Sequence, residues 1–206
     1  QKMLSDPTIK LQLDNEIAAS KTQRDFLVQS NNFPGLGSGH PDLYKAFCWR
    51  NNSVATNDGG WIGNVLPRAM LIANGMVDFR KKIFSSASTF QVKQIRNKNG
   101  FAFNDIHQQT VIALISYKKS NNPLEKAYIK STSNSFEHFQ NSRDEITSPI
   151  SSANLMELNE SLAIPQLPEG FSSEVLNIFS KHPKLKSEIM PFKLAAEQEL
   201  NSTLSK

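Results

Sequence analysis

The most constraining segment of this sequence is TVIALISY, residues 110–117, which is apolar at almost every position. A strand with one wet face alternates apolar and polar residues, and this run does not alternate. It therefore predicts an inner strand of a sheet that is covered on both faces. The polar loop directly before it, GFAFNDIHQQ, contains two phenylalanines, Phe101 and Phe103.

Helices and strands alternate in the residues before this run, which favours an α/β layered fold. HPDLYKAFCWRN predicts a helix that begins at Pro41, and WIGNVLP predicts a short strand that ends at Pro67. GMVDFRKKIFSS predicts another helix, and TFQVKQI a half-buried strand. The strands near residues 61–66, 90–95 and 110–117 are expected to be neighbours, with the last the most buried. Five elements are too few for a complete doubly wound fold, so we expect the sheet to need strands from outside this chain.

The sequence divides into three parts. Residues 1–35 predict a helical lead-in, in which Asp6 caps a helix that has Pro7 at its first position. Residues 36–119 hold the α/β elements. Residues 120–206 are expected to be looser, with one more strand in EKAYIKST and short helices in SSANLMELNES and SSEVLNIFSKHP. The predicted fold class is thus α/β, a partial sheet between a helical lead-in and a loosely structured helical C-terminal segment.

The cations of GMVDFRKKIFSS are interpreted as a solvated helix end. Arg80, Lys81 and Lys82 fall in the later turns of this helix, where the helix dipole favours positive charge. The apolar residues of this helix are predicted to lie together on one face, because of their spacing. They are Met76, Phe79 and Ile83.

Composition excludes several classes of function. The single Cys48 excludes an internal disulfide and a cysteine-based zinc site, and it fits a reducing, cytoplasmic setting. No apolar run approaches the length of about 18 residues that a transmembrane helix needs. No basic and then apolar signal segment opens the chain. The formal net charge of +4 permits a polyanionic partner but does not require one.

Motifs for metal binding and hydrolysis are also missing. The histidines are scattered, without an HExxH pair or clustered acids, so we expect no metal site. They are His40, His107, His138 and His182. No G-x-S-x-G elbow supports a hydrolase. The glycine-rich GLGSGHPD follows a helix rather than a strand and lacks the lysine of a phosphate loop, so it is interpreted as a flexible loop between helices.

Three segments in order resemble one known family. FPGLGSGHPDLYKAF, GGWIGNVLPRAML and GFAFNDIHQQTVIALISYKK are similar to the second half of the methyltransferase module of type IIG restriction–modification enzymes. That family shows a glycine-rich loop, an Asn/Asp-Leu-Tyr-x-x-Phe helix, a Gly-Gly turn, a strand ending in Val-Pro, and a Phe-Pro-Asp-Val/Ile-His segment before an apolar strand. The matching positions are Asp42, Leu43, Tyr44, Phe47, Gly59, Gly60, Leu66, Pro67, Phe103, Asp105, Ile106 and His107.

The resemblance implies a function in DNA modification. The expected reaction is transfer of a methyl group from S-adenosylmethionine to the exocyclic N6 amine of adenine in double-stranded DNA, in a cytoplasmic bacterial or archaeal protein. Residues 36–119 would be the C-terminal half of the methyltransferase domain, and residues 120–206 a connector toward a target-recognition domain. The implied partners are DNA, the missing N-terminal half of the module and that recognition domain, with no membrane. Catalysis would be positional and electrostatic, without a covalent nucleophile.

Two motifs of the family are absent from these 206 residues. They are the Asp/Asn-Pro-x-x-Gly-x-Gly loop that binds S-adenosylmethionine and the Asn-Pro-Pro-Tyr/Trp segment that positions the adenine amine. We therefore expect no catalytic, cofactor-binding or metal-binding residue here, and an isolated chain that is inactive and binds no S-adenosylmethionine measurably. Two further stretches depart from the pattern. Ile95, Arg96 and Asn97 replace Phe-Glu-Asn, and Gln108, Gln109 and Thr110 replace residues that include Arg and Lys.

The resemblance also assigns site residues. Phe103 matches the aromatic that stacks on the target base, and the vicinity of the DNA or base pocket would contain Asp105, His107, Pro67 and Arg68. Two alternatives remain open. Phe101 and Phe103 could merely cover the edge of the core, and the chain could be a non-catalytic DNA-binding or assembly subunit that keeps the fold.

Overall fold

The structure is a computed structural model that describes residues 6–29, 31, 33–36, 40–143, 147–171 and 173–183. The C-terminal segment PFKLAAEQELNSTLSK and residues 37–39 of the glycine-rich loop lie outside these ranges. The helices are α1 Pro7–Val28, α2 Leu43–Val54, α3 Ala69–Ile72, α4 Val77–Ser85, α5 Phe136–Asn141, α6 Ser152–Leu158 and α7 Ser173–Phe179. The strands are β1 Trp61–Pro67, β2 Ala87–Arg96, β3 Val111–Lys119, β4 Lys126–Ile129 and β5 Ile150–Ser151.

The five strands form one mixed sheet in the order β1-β3-β2-β4-β5. β3 pairs antiparallel with β1 on one side and with β2 on the other. β4 runs parallel to β2, and β5 pairs antiparallel with β4. The prediction that the three strands would be neighbours is therefore confirmed, as is the α/β class.

One face of β3 is buried and the other is only half-buried. Ala113, Ile115 and Tyr117 point into the core, and Leu114 and Ser116 alternate with them on the opposite face. Of the three predicted strands, β3 is the one without an exposed residue, as expected. The prediction that it is covered on both faces is confirmed in part, because Ile112 on the second face is buried while Leu114 and Ser116 are half-buried.

Arg80 is a core residue, so its interpretation as part of a solvated helix end is wrong. Its side chain is fully buried and donates to three backbone carbonyls, those of Met70 at 2.9 Å, Ala73 at 3.1 Å and Ser161 at 3.1 Å. The guanidinium thereby joins the end of α3 to α4 and to the segment after α6. Lys81 is exposed, as expected. The signal was present in the sequence, since Arg80 lies four residues after the buried Met76 and thus on the same helical face.

The helical lead-in begins as predicted and packs little. Asp6 caps α1 by accepting from the N–H of Thr8 at 2.8 Å, and Pro7 takes the first helical position. Most apolar side chains of this helix stay exposed, including Ile9 and Ile17, and only Leu27 of this helix is buried. α2 begins two residues later than expected, because Asp42 adopts the extended backbone of an N-cap residue.

Residues after 119 add to the same sheet and core. The predicted strand in EKAYIKST is β4, and the two predicted short helices are α6 and α7. Their apolar side chains, such as Ile129, Leu155 and Leu176, pack in the cluster that contains Phe79 and Ile115. The short elements α3, α5 and β5 had no counterpart in the sequence predictions, because each is too short to show a period.

Candidate functional site

The sequence-predicted site residues lie at one end of the sheet. β1 ends at Pro67, which pairs with Ile112, and β2 ends at Arg96, which pairs with Val111. The N–H of Arg68 donates to the carbonyl of Val111 at 3.1 Å. The loop between β2 and β3 therefore leaves and re-enters the sheet beside Pro67 and Arg68.

This loop, residues 97–110, is closed at its base by main-chain bonding. The N–H of Asn97 donates to the carbonyl of Thr110 at 2.9 Å. The first turn places Asn99 and Gly100 at φ values of +57° and +69°, in the left-handed region that these two residue types tolerate best. The chain thus reverses sharply directly after β2 and brings the next residues back over Asn97.

The side chain of Asn97 holds the loop together. Its Nδ2 donates to the carbonyls of Phe103 at 2.8 Å and Ile106 at 2.9 Å. Its Oδ1 accepts from the N–H groups of Ala102 at 3.1 Å and Phe103 at 3.0 Å. Asn97 is 0% exposed. Two donors and two acceptor positions are the full capacity of a carboxamide, so this buried group is satisfied entirely within the loop.

Phe103 presents its ring to solvent from this loop. The side chain is 44% exposed, whereas Phe101 is half-buried, and neither belongs to the core cluster. The hydrogen bonds that hold the loop come from Asn97, which the sequence showed only as the last residue of a stretch that departs from the family pattern. An asparagine directly after a strand is a usable signal, since its short side chain bonds readily to nearby backbone.

Asp105 and His107 are exposed in the second half of the loop. The Nδ1 of His107 accepts from the N–H of Gln109 at 3.2 Å, and its carbonyl accepts from the N–H of Thr110 at 2.9 Å. His107 therefore forms the turn that leads into β3.

Arg68 brings a positive charge to the same end of the sheet. Its guanidinium is half-buried, and its Nε is buried without a hydrogen-bond partner in the described part of the chain. Among these same residues it forms no ion pair. A cation of this kind suits an anionic partner such as a phosphate group.

The outer edge of β1 is open. Gly60 and Arg68 bond to β3 through their main chains, so the alternation of an antiparallel pair turns the N–H and C=O groups of Trp61, Gly63 and Val65 away from it. No other described strand pairs with this edge. Large apolar side chains line it and the adjacent surface of α2, to which β1 is linked by Asn51 and Asn64 at 2.7 Å. Their exposed fractions are 58% for Trp61, 60% for Val65, 61% for Phe47 and 64% for Val54.

The described residues offer stacking and hydrogen bonding rather than covalent chemistry. Burial raises the pKa of the Cys48 thiol to about 12, so the thiol stays protonated and unreactive. Within the ranges that the structure describes, no three His, Cys, Asp or Glu side chains are grouped as a metal site would require. No described helix is long and apolar enough to cross a membrane.

Comparison with known proteins gives distant structural similarities. No family profile matches the sequence, and no curated protein sequence matches it significantly. Part of the DNA-bound ATP-dependent type ISP restriction–modification enzyme LlaBIII is similar over 54% of this chain and 8% of its own, with 16% identity and a TM-score of 0.37. A structure of a type I restriction–modification system is similar over 60% of this chain and 32% of its own, with 13% identity and a TM-score of 0.40.

A third solved structure shows a comparable likeness. The modification subunit of a putative type I restriction enzyme from Vibrio vulnificus is similar over 59% of this chain and 29% of its own, with 12% identity and a TM-score of 0.37. The chain thus spans less than a third of the length of each of these proteins. It is distantly similar in structure to parts of restriction–modification enzymes, at low identity.

Proposed function

We propose that this chain is a portion of a site-specific adenine-N6 DNA methyltransferase of a restriction–modification system. In this proposal it completes the methyltransferase sheet and contributes Phe103 to the binding of the target base. The observation that carries the proposal is an exposed aromatic ring on a residue whose N–H and carbonyl are both hydrogen-bonded to Asn97, at the end of the sheet where Arg68 also lies.

The chemistry of the reaction explains why such a ring is needed. The exocyclic amine of adenine cannot be reached inside a duplex, so the base must be rotated out of the stack. The extruded base loses its neighbours, and an aromatic side chain can replace one of them, which is worth roughly 1–3 kcal/mol per base. A ring whose backbone is already held by hydrogen bonds loses less entropy when the base arrives than a ring on an unbonded loop.

The open edge of β1 supports the proposal that this chain completes the methyltransferase sheet. Edge strands in free-standing proteins are commonly short, charged or covered, because unpaired main-chain groups attract other chains. β1 has seven residues, carries no charged side chain and exposes Trp61 and Val65. We propose that the missing half of the methyltransferase module adds a strand here and packs a helix on Phe47 and Val54. That half would also hold S-adenosylmethionine, which supplies the methyl group when bound.

The test is Phe103→Ala in the complete gene product. The initial rate of methylation of duplex DNA should fall roughly 5- to 160-fold, the equivalent of the lost stacking free energy. Phe103→Tyr, which keeps the ring, should retain most of the rate. Phe136→Ala removes a similarly exposed ring from α5 and should leave the rate unchanged.

Two further measurements complete this test. The melting temperature and the affinity for S-adenosylmethionine should be the same in Phe103→Ala and in the unaltered protein, because the ring is outside the core. A wild-type rate for Phe103→Ala, or a loss that comes only from unfolding, would make Phe103 a residue of the core edge and refute the assignment.

A second function is favoured by the absence of both the cofactor motif and the Asn-Pro-Pro-Tyr/Trp motif from all 206 residues. The chain would then be a non-catalytic DNA-binding or assembly subunit. Sequencing the complete open reading frame separates the two, since the methyltransferase proposal requires both motifs upstream in the same gene product. Calorimetry on the isolated chain adds a check, because micromolar binding of S-adenosylmethionine would contradict the proposed position of the module boundary.

A further inference from the structure

We infer that Asn97 is a positioning residue that sets the direction of the Phe103 ring. The inference rests on the proposed role of Phe103 in binding the target base. It adds a residue to that site which acts through Phe103 and does not touch the base. Four hydrogen bonds from one buried carboxamide carry it.

Both peptide groups that flank the α-carbon of Phe103 are held by the same side chain. Its N–H donates to Oδ1 of Asn97 at 3.0 Å, and its carbonyl accepts from Nδ2 at 2.8 Å. Fixing both peptide planes fixes φ and ψ of Phe103, and these two angles set the direction of its Cα–Cβ bond. The ring is therefore aimed by Asn97 although the two side chains need not touch.

Asn97 is in turn fixed to the sheet. It follows the last residue of β2, and its own N–H donates to the carbonyl of Thr110 at 2.9 Å, directly before β3. The preceding Arg96 donates its N–H to the carbonyl of Ser133 at 2.9 Å, beyond β4. The carboxamide of Asn97 thus links the backbone of Phe103 to β2, to the start of β3 and to the segment after β4. The loop needs no packing of the ring itself, which leaves the ring free for a ligand.

The chemistry of a carboxamide is required at this position. A carboxylate has the same shape but no donor, so Asn97→Asp would place an oxygen against the carbonyl oxygens of Phe103 and Ile106. Alanine would leave all four main-chain groups without their partner. Asn104, an exposed asparagine in the same loop, supplies a matched control.

Hydrogen exchange measures the positioning directly. In the unaltered chain, the amides of Ala102 and Phe103 should exchange at least about tenfold more slowly than those of Asn104 and Asp105, for which the described residues provide no acceptor. In Asn97→Asp and Asn97→Ala, exchange of the amides of Ala102 and Phe103 should accelerate by at least about tenfold, with β3 unchanged. Asn104→Ala should change nothing.

Methylation by the complete gene product tests whether Asn97 acts through Phe103. Asn97→Asp should lower kcat for duplex DNA with the KM for S-adenosylmethionine unchanged, and the defect should shrink when the target adenine is mispaired, because a mispaired base is cheaper to extrude. Adding Asn97→Asp to Phe103→Ala should cause no further loss, since two residues that act as one unit are not additive.

The outcomes separate the two proposals. If Phe103→Ala methylates normally, the proposed function is wrong, and the exchange rates alone then decide whether Asn97 positions the loop. Unprotected amides at Ala102 and Phe103 in the unaltered chain overturn the positioning role without any variant. Losses that multiply in the double variant overturn it as well, because Asn97 would then act on something other than Phe103.

Discussion

The covered face of the sheet and the β1 edge treat polar and apolar groups in opposite ways. On the covered side even cations are buried and bonded: Arg80 donates to three carbonyls, and Lys119 donates to those of Asn52 at 2.6 Å and Ala55 at 2.9 Å. At the β1 edge, apolar side chains such as Trp61 are exposed. The covered face is therefore packed as a protein interior, whereas the β1 edge exposes apolar side chains in the way that is typical of an interface.

The same contrast divides a single helix. In α2, the inward Cys48 is fully buried, and its neighbour Phe47 is one of the most exposed large apolar residues among those described. Helical geometry puts adjacent residues about 100° apart, so one helix can pack on the sheet with one side and display an apolar stripe on another. Burial therefore differs between the two sides of one helix, and it does not separate one whole helix or strand from another.

The largest expected effect is on the rate of thiol labelling, which compares the buried side of α2 with its exposed side. Burial raises the pKa of Cys48 from 9.0 to about 12, which lowers the thiolate fraction roughly a thousandfold at any pH below this range. Cys48 should therefore react with a disulfide reagent at least about a thousandfold more slowly in the folded chain than in urea. In a Cys48→Ala background, Phe47→Cys should react at nearly the unfolded rate. Equal rates at the two positions would contradict the assigned orientation of α2.

Removing the buried guanidinium should give the next largest effect. Arg80→Met fills a similar volume but removes three hydrogen bonds, and the carbonyls of Met70 and Ser161 lose their donor. We expect the free energy of unfolding to fall by roughly 3 kcal/mol. Urea denaturation followed by circular dichroism measures this change. Lys81→Met, at the exposed neighbouring position, should stay within about 0.5 kcal/mol of the unaltered chain. A similar effect of both substitutions would show that Arg80 is not a core residue.

A charge on the open edge should give the smallest change in stability and a clear change in association. Val65→Lys places a lysine on β1, the device by which natural edge strands avoid pairing. The free energy of unfolding should change by less than about 0.5 kcal/mol, and the self-association of the isolated chain in sedimentation velocity should decrease. Gln91→Lys, at an exposed position of the inner strand β2, should leave self-association as it was. Equal self-association of Val65→Lys and Gln91→Lys would show that the edge of β1 is not the contact between copies of the chain.

Local patterns in the sequence predicted the helices and strands but not which residues pack against them. The runs of β1, β2 and β3 and the Asp6 cap were visible because they depend on residues close in sequence. The incomplete cover on the second face of β3 was not, since an apolar residue such as Leu114 indicates avoidance of water but does not identify the residues that pack against it. Arg80 and Asn97 were misjudged for a related reason: both side chains bond to main-chain atoms, which leave no side-chain pattern to detect.

Pro67 limits how far another strand can extend along β1. The outward donors of this edge are the N–H groups of Trp61, Gly63 and Val65, and the next outward position belongs to a residue that has no N–H. A strand laid against the edge would therefore lose its main-chain partners before it reached Arg68. Pro67 thus ends the run of outward N–H donors one residue before Arg68, so main-chain pairing along β1 is weaker at the end of the sheet where residues 97–110 lie.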